Sequence, residues 1–230
     1  MQVGRMIGRD LFGGRKRGLG RIEQHLLDML DADRHTLELA TTGLLGSADP
    51  EALHHEVSDS DHRVNLLVQR VRRELVVHAS LRGTHADISA MFATMSVVKD
   101  IERVGDYAKH LLRIARIRGP FVPDSAEHVE LAAYSNRIAR YATDVRDTLG
   151  VQDPDRATAL IIDIRALTDD LNTAIDQLLT ADPRLSNGAA QALAYHYLAR
   201  TAAHLSNVLT SIVMPLDKLD FYDEPHRTAR

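Results

Sequence analysis

The sequence of 230 residues contains no cysteine and no tryptophan, and only four phenylalanines and six tyrosines. The absence of cysteine excludes disulfides, thiolate metal sites and cysteine nucleophiles. The scarcity of aromatic residues disfavours β-sandwiches and barrels, and it removes the stacking surfaces that bind single-stranded nucleic acids. The remaining composition, 44% hydrophobic and 26% charged, is that of a globular protein. These values favour an all-α protein.

Long apolar runs are also missing. The N-terminus lacks the apolar core and cleavage site of a signal peptide, and no stretch reaches 18 apolar residues, so we expect a cytoplasmic protein without a transmembrane segment. The formal charge of −4 argues against direct binding to nucleic acid. One basic run, from Arg15 to Arg21, predicts a flexible basic tail over residues 1–18, with contact to a membrane surface as the alternative.

Glycine and proline cluster at a few places, and the sequence between these places predicts six long helices. An Asp-Pro pair opens the second and the fifth helix, and Thr84 is the predicted cap of the third. Helices of this length are expected to lie side by side in an elongated antiparallel bundle. The predicted helices cover about residues 19–45, 50–81, 84–117, 125–150, 153–181 and 186–214.

The two halves of the sequence read as a repeat of one three-helix unit. The segment ADPEAL from Ala48 is answered by QDPDRA from Gln152, each at the start of a middle helix. Duplication of one unit accounts for this similarity. We therefore predict a first repeat over residues 19–120 and a second, degenerate repeat over residues 121–230 that includes a C-terminal tail.

The third predicted helix carries a pair of carboxylates. Glu102 and Asp106 are four residues apart, which places them on one helix face about one turn apart. Gly105 lies between them, and a glycine inside a helix indicates close approach of another helix or a ligand. Carboxylate oxygens suit Mg, Mn or Fe, and Asp61 with the carbonyl of Asn65 could complete such a site from the preceding helix. The alternative is a solvated face neutralised by cations within one turn, which are Lys99, Arg103, Lys109 and His110.

Sequence patterns of enzymes are missing. No phosphate-binding loop, nucleophile elbow or dinucleotide fingerprint is present, so we predict a non-enzymatic protein. A carboxylate-bridged di-iron enzyme is a rival, but it needs a Glu-x-x-His motif, and the residue three after Glu102 is Gly105. A DNA-associated regulator is a third hypothesis, against which the charge argues.

The carboxylate helix and the helix before it carry a recognisable pattern. Residues 102–106 read Glu-Arg-Val-Gly-Asp, residues 61–65 read Asp-His-Arg-Val-Asn, and residues 86–88 read Ala-Asp-Ile. The pattern resembles the PhoU family of phosphate-uptake regulators, whose halves each carry Glu-Arg-Ile-Gly-Asp after an Asp-x-x-Val-Asn helix. The likeness extends over about residues 20–222, with the specific motif in the first half alone.

The resemblance implies two three-helix bundles related by a pseudo-twofold axis. It also implies a cytoplasmic, often dimeric regulator that acts on a membrane phosphate transporter and its sensor histidine kinase, and lowers transport or signalling when phosphate is plentiful. Some members instead resemble regulators of sodium/phosphate or potassium transport. In several members the Glu-x-x-x-Asp motifs hold metal clusters. Packing of helices by the motif residues, without metal, is the competing interpretation.

The second half departs from the family pattern. Ala199 and Ala203 stand at the positions equivalent to Glu102 and Asp106, and Thr168 stands at the position equivalent to Asp61. We therefore expect metal in the first half at most, at Glu102, Asp106 and Asp61, with Fe, Mn or Mg as the candidates.

Overall fold

The computed structural model describes residues 19–82, 87–180 and 187–221. The described residues form six long α-helices and no strand, which confirms the all-α prediction. None of these helices is both long and apolar enough to cross a membrane. The predicted tail over residues 1–18 lies outside the described residues. The helices are α1 (Gly20–Leu44), α2 (Pro50–Arg82), α3 (Ile88–Arg118), α4 (Ala126–Val151), α5 (Pro154–Thr180) and α6 (Gly188–Val213), followed by a 3₁₀ turn at Leu216–Lys218.

Polar side chains mark the helix starts. The carboxylate of Asp49 accepts the backbone N–H of Glu51 at 3.0 Å, and Ser125 accepts the N–H of His128 at 3.2 Å. These contacts satisfy backbone donors that have no partner inside the helix. The third helix starts later than predicted, because Asp87 is its N-cap and accepts the N–H of Ala90 at 3.0 Å. The predicted cap, Thr84, lies outside the described residues.

The helices pack as two groups of three. In the first group α1 packs against α2 and α3, and in the second α6 packs against α4 and α5. The groups meet where α3 lies against α6 and α1 against α4. Both of these contacts join corresponding helices, which is consistent with the predicted pseudo-twofold relation. Leucine, isoleucine, valine and alanine side chains from both groups form one hydrophobic core.

A buried polar contact reinforces the boundary between the groups. Asp100 on α3 and His204 on α6 are both buried, and the carboxylate accepts a hydrogen bond from Nδ1 of the imidazole at 2.7 Å. Asn207 donates to the same carboxylate at 3.4 Å, and the ring of Tyr107 stacks on the imidazole of His204 at a centroid distance of 5.7 Å. The carboxylate of the first group is therefore satisfied by donors from the second group.

In the first group, α2 and α3 extend beyond α1. The backbone N–H of Phe121, just after α3, donates to the carbonyl of Leu44 at the end of α1, so α1 and α3 end side by side. The helix α1 has 25 residues, whereas α2 has 33 and α3 has 31. Both α2 and α3 therefore project about 9 to 12 Å past the start of α1. We call this part the overhang. Its exposed apolar side chains are Val76, Val77, Leu81, Ile88 and Phe92.

The overhang corrects one prediction about α3. Apolar spacing predicts a single buried stripe from Ile88 to Ala115, and its members from Val98 onward are buried. Ile88 is 51% exposed and Met95 is 37% exposed, however, while Met91 is partly buried against the core. Of these residues, Ile88 lies in the overhang, beyond the start of α1.

Candidate functional site

Two of the three predicted site residues meet at a lysine. Asp61 on α2 and Asp106 on α3 both contact the ammonium of Lys109, with distances from Nζ of 2.6 Å and 2.9 Å. Glu102 is partly buried one turn before Asp106, and its charge acts on the same group of residues. The structure therefore brings Asp61 and Asp106 together across 45 residues of sequence, with Lys109 between them.

The other oxygens of these two carboxylates have protein donors as well. Asp61 accepts a hydrogen bond from the side-chain amide of Asn65 at 3.2 Å. Asp106 accepts a hydrogen bond from the guanidinium of Arg103 at 3.3 Å. Asn65 thus supports Asp61 through its amide nitrogen, which differs from its predicted use as a carbonyl donor to a metal. All four oxygens of Asp61 and Asp106 accept hydrogen bonds or ion-pair contacts from the protein.

Lys109 remains protonated in these surroundings. Partial burial acts to lower the pKa of Lys109, but hydrogen bonds and charge attraction from Asp61 and Asp106 outweigh it and raise the pKa. Asp106 is three residues before Lys109 on α3, so one ion pair lies within a helix. The other joins α3 to α2, which makes Lys109 a bridge between two helices.

A fourth carboxyl group, Asp33 on α1, belongs to the same cluster and was missed by sequence reasoning. Its side chain is buried, and Oδ2 has no hydrogen-bond partner in the part of the chain that the structure describes. Burial raises the pKa of Asp33 well above its ordinary value, and the negative charges of Asp61 and Asp106 add to this effect, whereas Lys109 opposes it. The spacing of Asp33 indicates that it is buried, because it stands in the buried stripe of α1 between Leu30 and Leu37.

Gly105 explains how Asp33 can lie against α3. A Cβ atom added at Gly105 would lie 2.3 Å from Oδ1 of Asp33 and 3.1 Å from its Cγ. Such distances are shorter than van der Waals contact, so any larger residue would displace Asp33. The sequence prediction that Gly105 marks a close approach is confirmed, and the approaching group is the carboxyl of α1. We call Asp33, Asp61, Glu102, Asp106 and Lys109 the carboxylate–lysine cluster.

The cluster has the oxygen donors that Mg, Mn or Fe prefer, but it already contains a cation. Among the described residues, no group of three or more histidines, aspartates and glutamates is arranged to hold a metal ion. In this arrangement the ligands do not fit a metal, because Lys109 contacts both Asp61 and Asp106. Metal binding at Glu102, Asp106 and Asp61 stays a prediction, and the contacts of Lys109 argue against it.

The equivalent positions of the second half carry no charge. Ala199 is buried in the core, and Thr168 donates its hydroxyl to the backbone carbonyl of Ile164 at 3.0 Å. Of the nearby polar residues, Asp170 is exposed at 3.6 Å from Arg137, and His204 pairs with Asp100. The side chains at these positions offer no carboxylate pair, in agreement with the sequence.

The part of the chain that carries the cluster is similar to a known protein domain. Residues 26–115 match the model of the PhoU domain. This part of the chain is similar to the PhoU domain. The match begins in α1 and ends in α3, so it contains every residue of the carboxylate–lysine cluster. It confirms the resemblance to the PhoU family that the motif residues indicate.

Similarity to relatives extends beyond the domain match. The chain is 26% identical over 186 residues to the phosphate-specific transport system accessory protein PhoU homolog 2 of Mycobacterium tuberculosis and of Mycobacterium bovis. The aligned region covers 79% of this chain and 84% of each relative. The similarity to these relatives therefore extends over both halves of the chain.

Two solved structures share the fold. PhoU from Pseudomonas aeruginosa superposes with a TM-score of 0.75 at 23% identity, covering 85% of this chain and 95% of the other. The phosphate transport system regulatory protein PhoU from Streptococcus pneumoniae gives a TM-score of 0.69 at 18% identity, covering 86% and 94%. The six-helix architecture is therefore that of PhoU structures.

Proposed function

We propose that this protein is a cytoplasmic regulator of phosphate uptake and phosphate-responsive signalling. It acts as an adaptor on a membrane phosphate transporter, on its sensor histidine kinase, or on both, and it functions as a homodimer. The observation that carries the proposal is the PhoU-domain match over residues 26–115, which includes the intact motif from Glu102 to Asp106. The name of the mycobacterial relatives, accessory proteins of a phosphate-specific transport system, supports the choice of partner.

The proposed mechanism is differential binding to the partner. A regulator shifts a transporter or kinase between two states only if it binds one state more tightly than the other. We therefore expect tighter association in phosphate-replete cells, where transport or signalling is lowered. The helices of the chain supply a rigid surface for such contact, because their core is continuous across both groups.

The proposal is tested by capturing the tagged protein from membranes of its own host, grown with high or low phosphate, and identifying partners by mass spectrometry. We expect a phosphate transporter or its sensor kinase, with more partner recovered from the high-phosphate cells. Equal recovery from both cultures would contradict the proposed mechanism. Recovery of a sodium/phosphate or potassium transporter would retain the adaptor role and change the transported ion.

A matched control distinguishes specific contact from adhesion of the tag. Leu37 is fully buried in α1, so Leu37→Asp disrupts the core without changing any exposed apolar residue. We expect this variant to capture neither transporter nor kinase. Capture of the same partner by Leu37→Asp would show that the contact does not depend on the folded surface, and would contradict the adaptor proposal.

A further inference from the structure

Lys109 occupies the position that a bound cation would take in the first half of the molecule. Its Nζ atom lies 2.6 Å from Asp61 and 2.9 Å from Asp106, and these residues come from two different helices. Arg103 and Asn65 donate to the two remaining oxygens. A divalent metal could reach these oxygens only by displacing donors that the protein itself supplies.

The ammonium is held by the fold as well as by charge. Lys109 is partly buried, and its backbone position on α3 sets its distance from Asp106, three residues earlier. Asp61 is fixed by Asn65 one turn later on α2. An ammonium held in this way is a preorganised counter-ion, because little side-chain freedom remains to be lost when the ion pairs form.

From this geometry we propose that Lys109 is the resident counter-ion of Asp61 and Asp106, and that it excludes divalent metals from the first-half site. An ammonium and a metal cannot share the same two carboxylate oxygens, and their positive charges repel each other at such distances. Metal can therefore bind at Asp61 and Asp106 only when Lys109 leaves. This proposal concerns the site alone and holds whether or not the adaptor function is correct.

The test compares metal binding by the wild type and by Lys109→Met, which removes the charge and retains a long apolar side chain. Mn²⁺ is the probe, with free Mn²⁺ measured by electron paramagnetic resonance and thermal unfolding recorded with and without the ion. We expect Lys109→Met to bind about one Mn²⁺ per chain at least tenfold more tightly than the wild type. Its Tm should rise in Mn²⁺.

Three further variants assign the effect to the site. Lys109→Arg keeps the positive charge and Lys99→Met removes an exposed lysine of the same helix, so both should bind Mn²⁺ as weakly as the wild type. Adding Asp106→Asn to Lys109→Met should abolish the gain. Wild-type binding as tight as that of Lys109→Met, or a folded Lys109→Met that gains no affinity, would overturn the proposal.

Loss of the lysine could also prevent folding, because it leaves two neighbouring carboxylates without their shared cation. Refolding Lys109→Met from urea with and without 1 mM Mn²⁺ then gives the answer. Folding that requires Mn²⁺ supports the proposal, since the metal replaces the ammonium. A variant that folds in neither condition would contradict the claim that the two cations compete for one site.

Discussion

The first and second groups of three helices share a packing scheme but differ at one internal surface. In the first group, α1, α2 and α3 enclose the carboxylate–lysine cluster, whereas α5 and α6 bring alanine and threonine to the equivalent positions. The second group nevertheless packs into the same hydrophobic core. A three-helix unit of this kind therefore does not need the cluster in order to fold, and the cluster is the feature of the first group that calls for a functional explanation.

The groups also differ in outline. The helices of the second group have nearly equal lengths of 26, 27 and 26 residues, whereas the first group has 25, 33 and 31. The longer helices produce the overhang with its exposed apolar side chains. The first group thus contains two features that the second lacks, which makes it the region where substitutions should affect function most.

The largest effect is expected where the two groups meet. Asp100→Ala removes the buried partner of His204 and should lower the free energy of unfolding by about 2 to 4 kcal/mol. Urea denaturation measures this change. The matched control is Asp170→Ala in the second group, whose carboxylate is exposed and 3.6 Å from Arg137, and it should change stability by less than about 0.5 kcal/mol. Equal effects would show that the two groups are not coupled through Asp100.

The close approach of α1 and α3 gives the next prediction. Gly105→Ala places a Cβ atom against Asp33 and should destabilise the protein by about 1 to 3 kcal/mol, as measured by urea denaturation. In an Asp33→Ala background the clash is absent, so the same change should be neutral or stabilising, because alanine favours a helix by about 1 kcal/mol over glycine. The same destabilisation in both backgrounds would show that Asp33 is not the residue that requires glycine.

The raised pKa of Asp33 predicts a pH dependence with a definite sign. Because the folded-state pKa lies above the ordinary value of 3.8, the stability that protonated Asp33 contributes is fully present below about pH 4 and is lost as the pH rises through the raised pKa. Asn at this position resembles the protonated carboxyl and does not titrate. We therefore expect the stability advantage of Asp33→Asn over the wild type to grow as the pH is raised from 4 to 8.

Denaturant unfolding of both proteins across this pH range checks the prediction, with Asp170→Asn as an exposed control. A difference between Asp33→Asn and the wild type that stays constant with pH would contradict a raised pKa. A difference that shrinks as the pH rises would mean that the fold lowers the pKa of Asp33 instead.

The smallest effect is expected at the second-group counterpart of Asp61. Thr168→Ala removes a hydroxyl that bonds only within its own helix among the described contacts, so stability should change by less than about 0.5 kcal/mol. Asp61→Asn weakens an ion pair that links two helices and should cost about 1 kcal/mol. Thermal and urea unfolding of the two variants side by side would contradict the contrast between the groups if Thr168→Ala proved the more damaging.

Sequence reasoning succeeded where the signal was local. Glycine and proline positions predicted all six helices, and the spacing of Glu102 and Asp106 placed both on one helix. The spacing of Asp33 indicates that it is buried in α1, but its place in the cluster depends on α1 lying against Gly105, 72 residues later in the chain. The role of Lys109 is non-local as well, since Asp61 lies on another helix 48 residues away. The sequence shows which charges are present, but the packing of the helices decides how they pair.

The exposure of Ile88 has a similar origin. Its spacing fits the buried stripe of α3, and nothing within α3 indicates where that stripe becomes uncovered. The relevant quantity is the length of α1. Because α1 is shorter than α3, about the first 9 Å of α3 lie beyond the start of α1. Helix length in one part of the chain therefore determines burial in another.

The proposed regulatory role is tested most directly by the rate of phosphate uptake in host cells that lack the protein. In phosphate-replete medium we predict faster uptake in these cells than in the parent strain, and a return to the parental rate when the wild-type chain is supplied. Leu37→Asp, supplied in the same way, should not restore the parental rate. Uptake that is the same with and without the protein, in both high and low phosphate, would contradict the account.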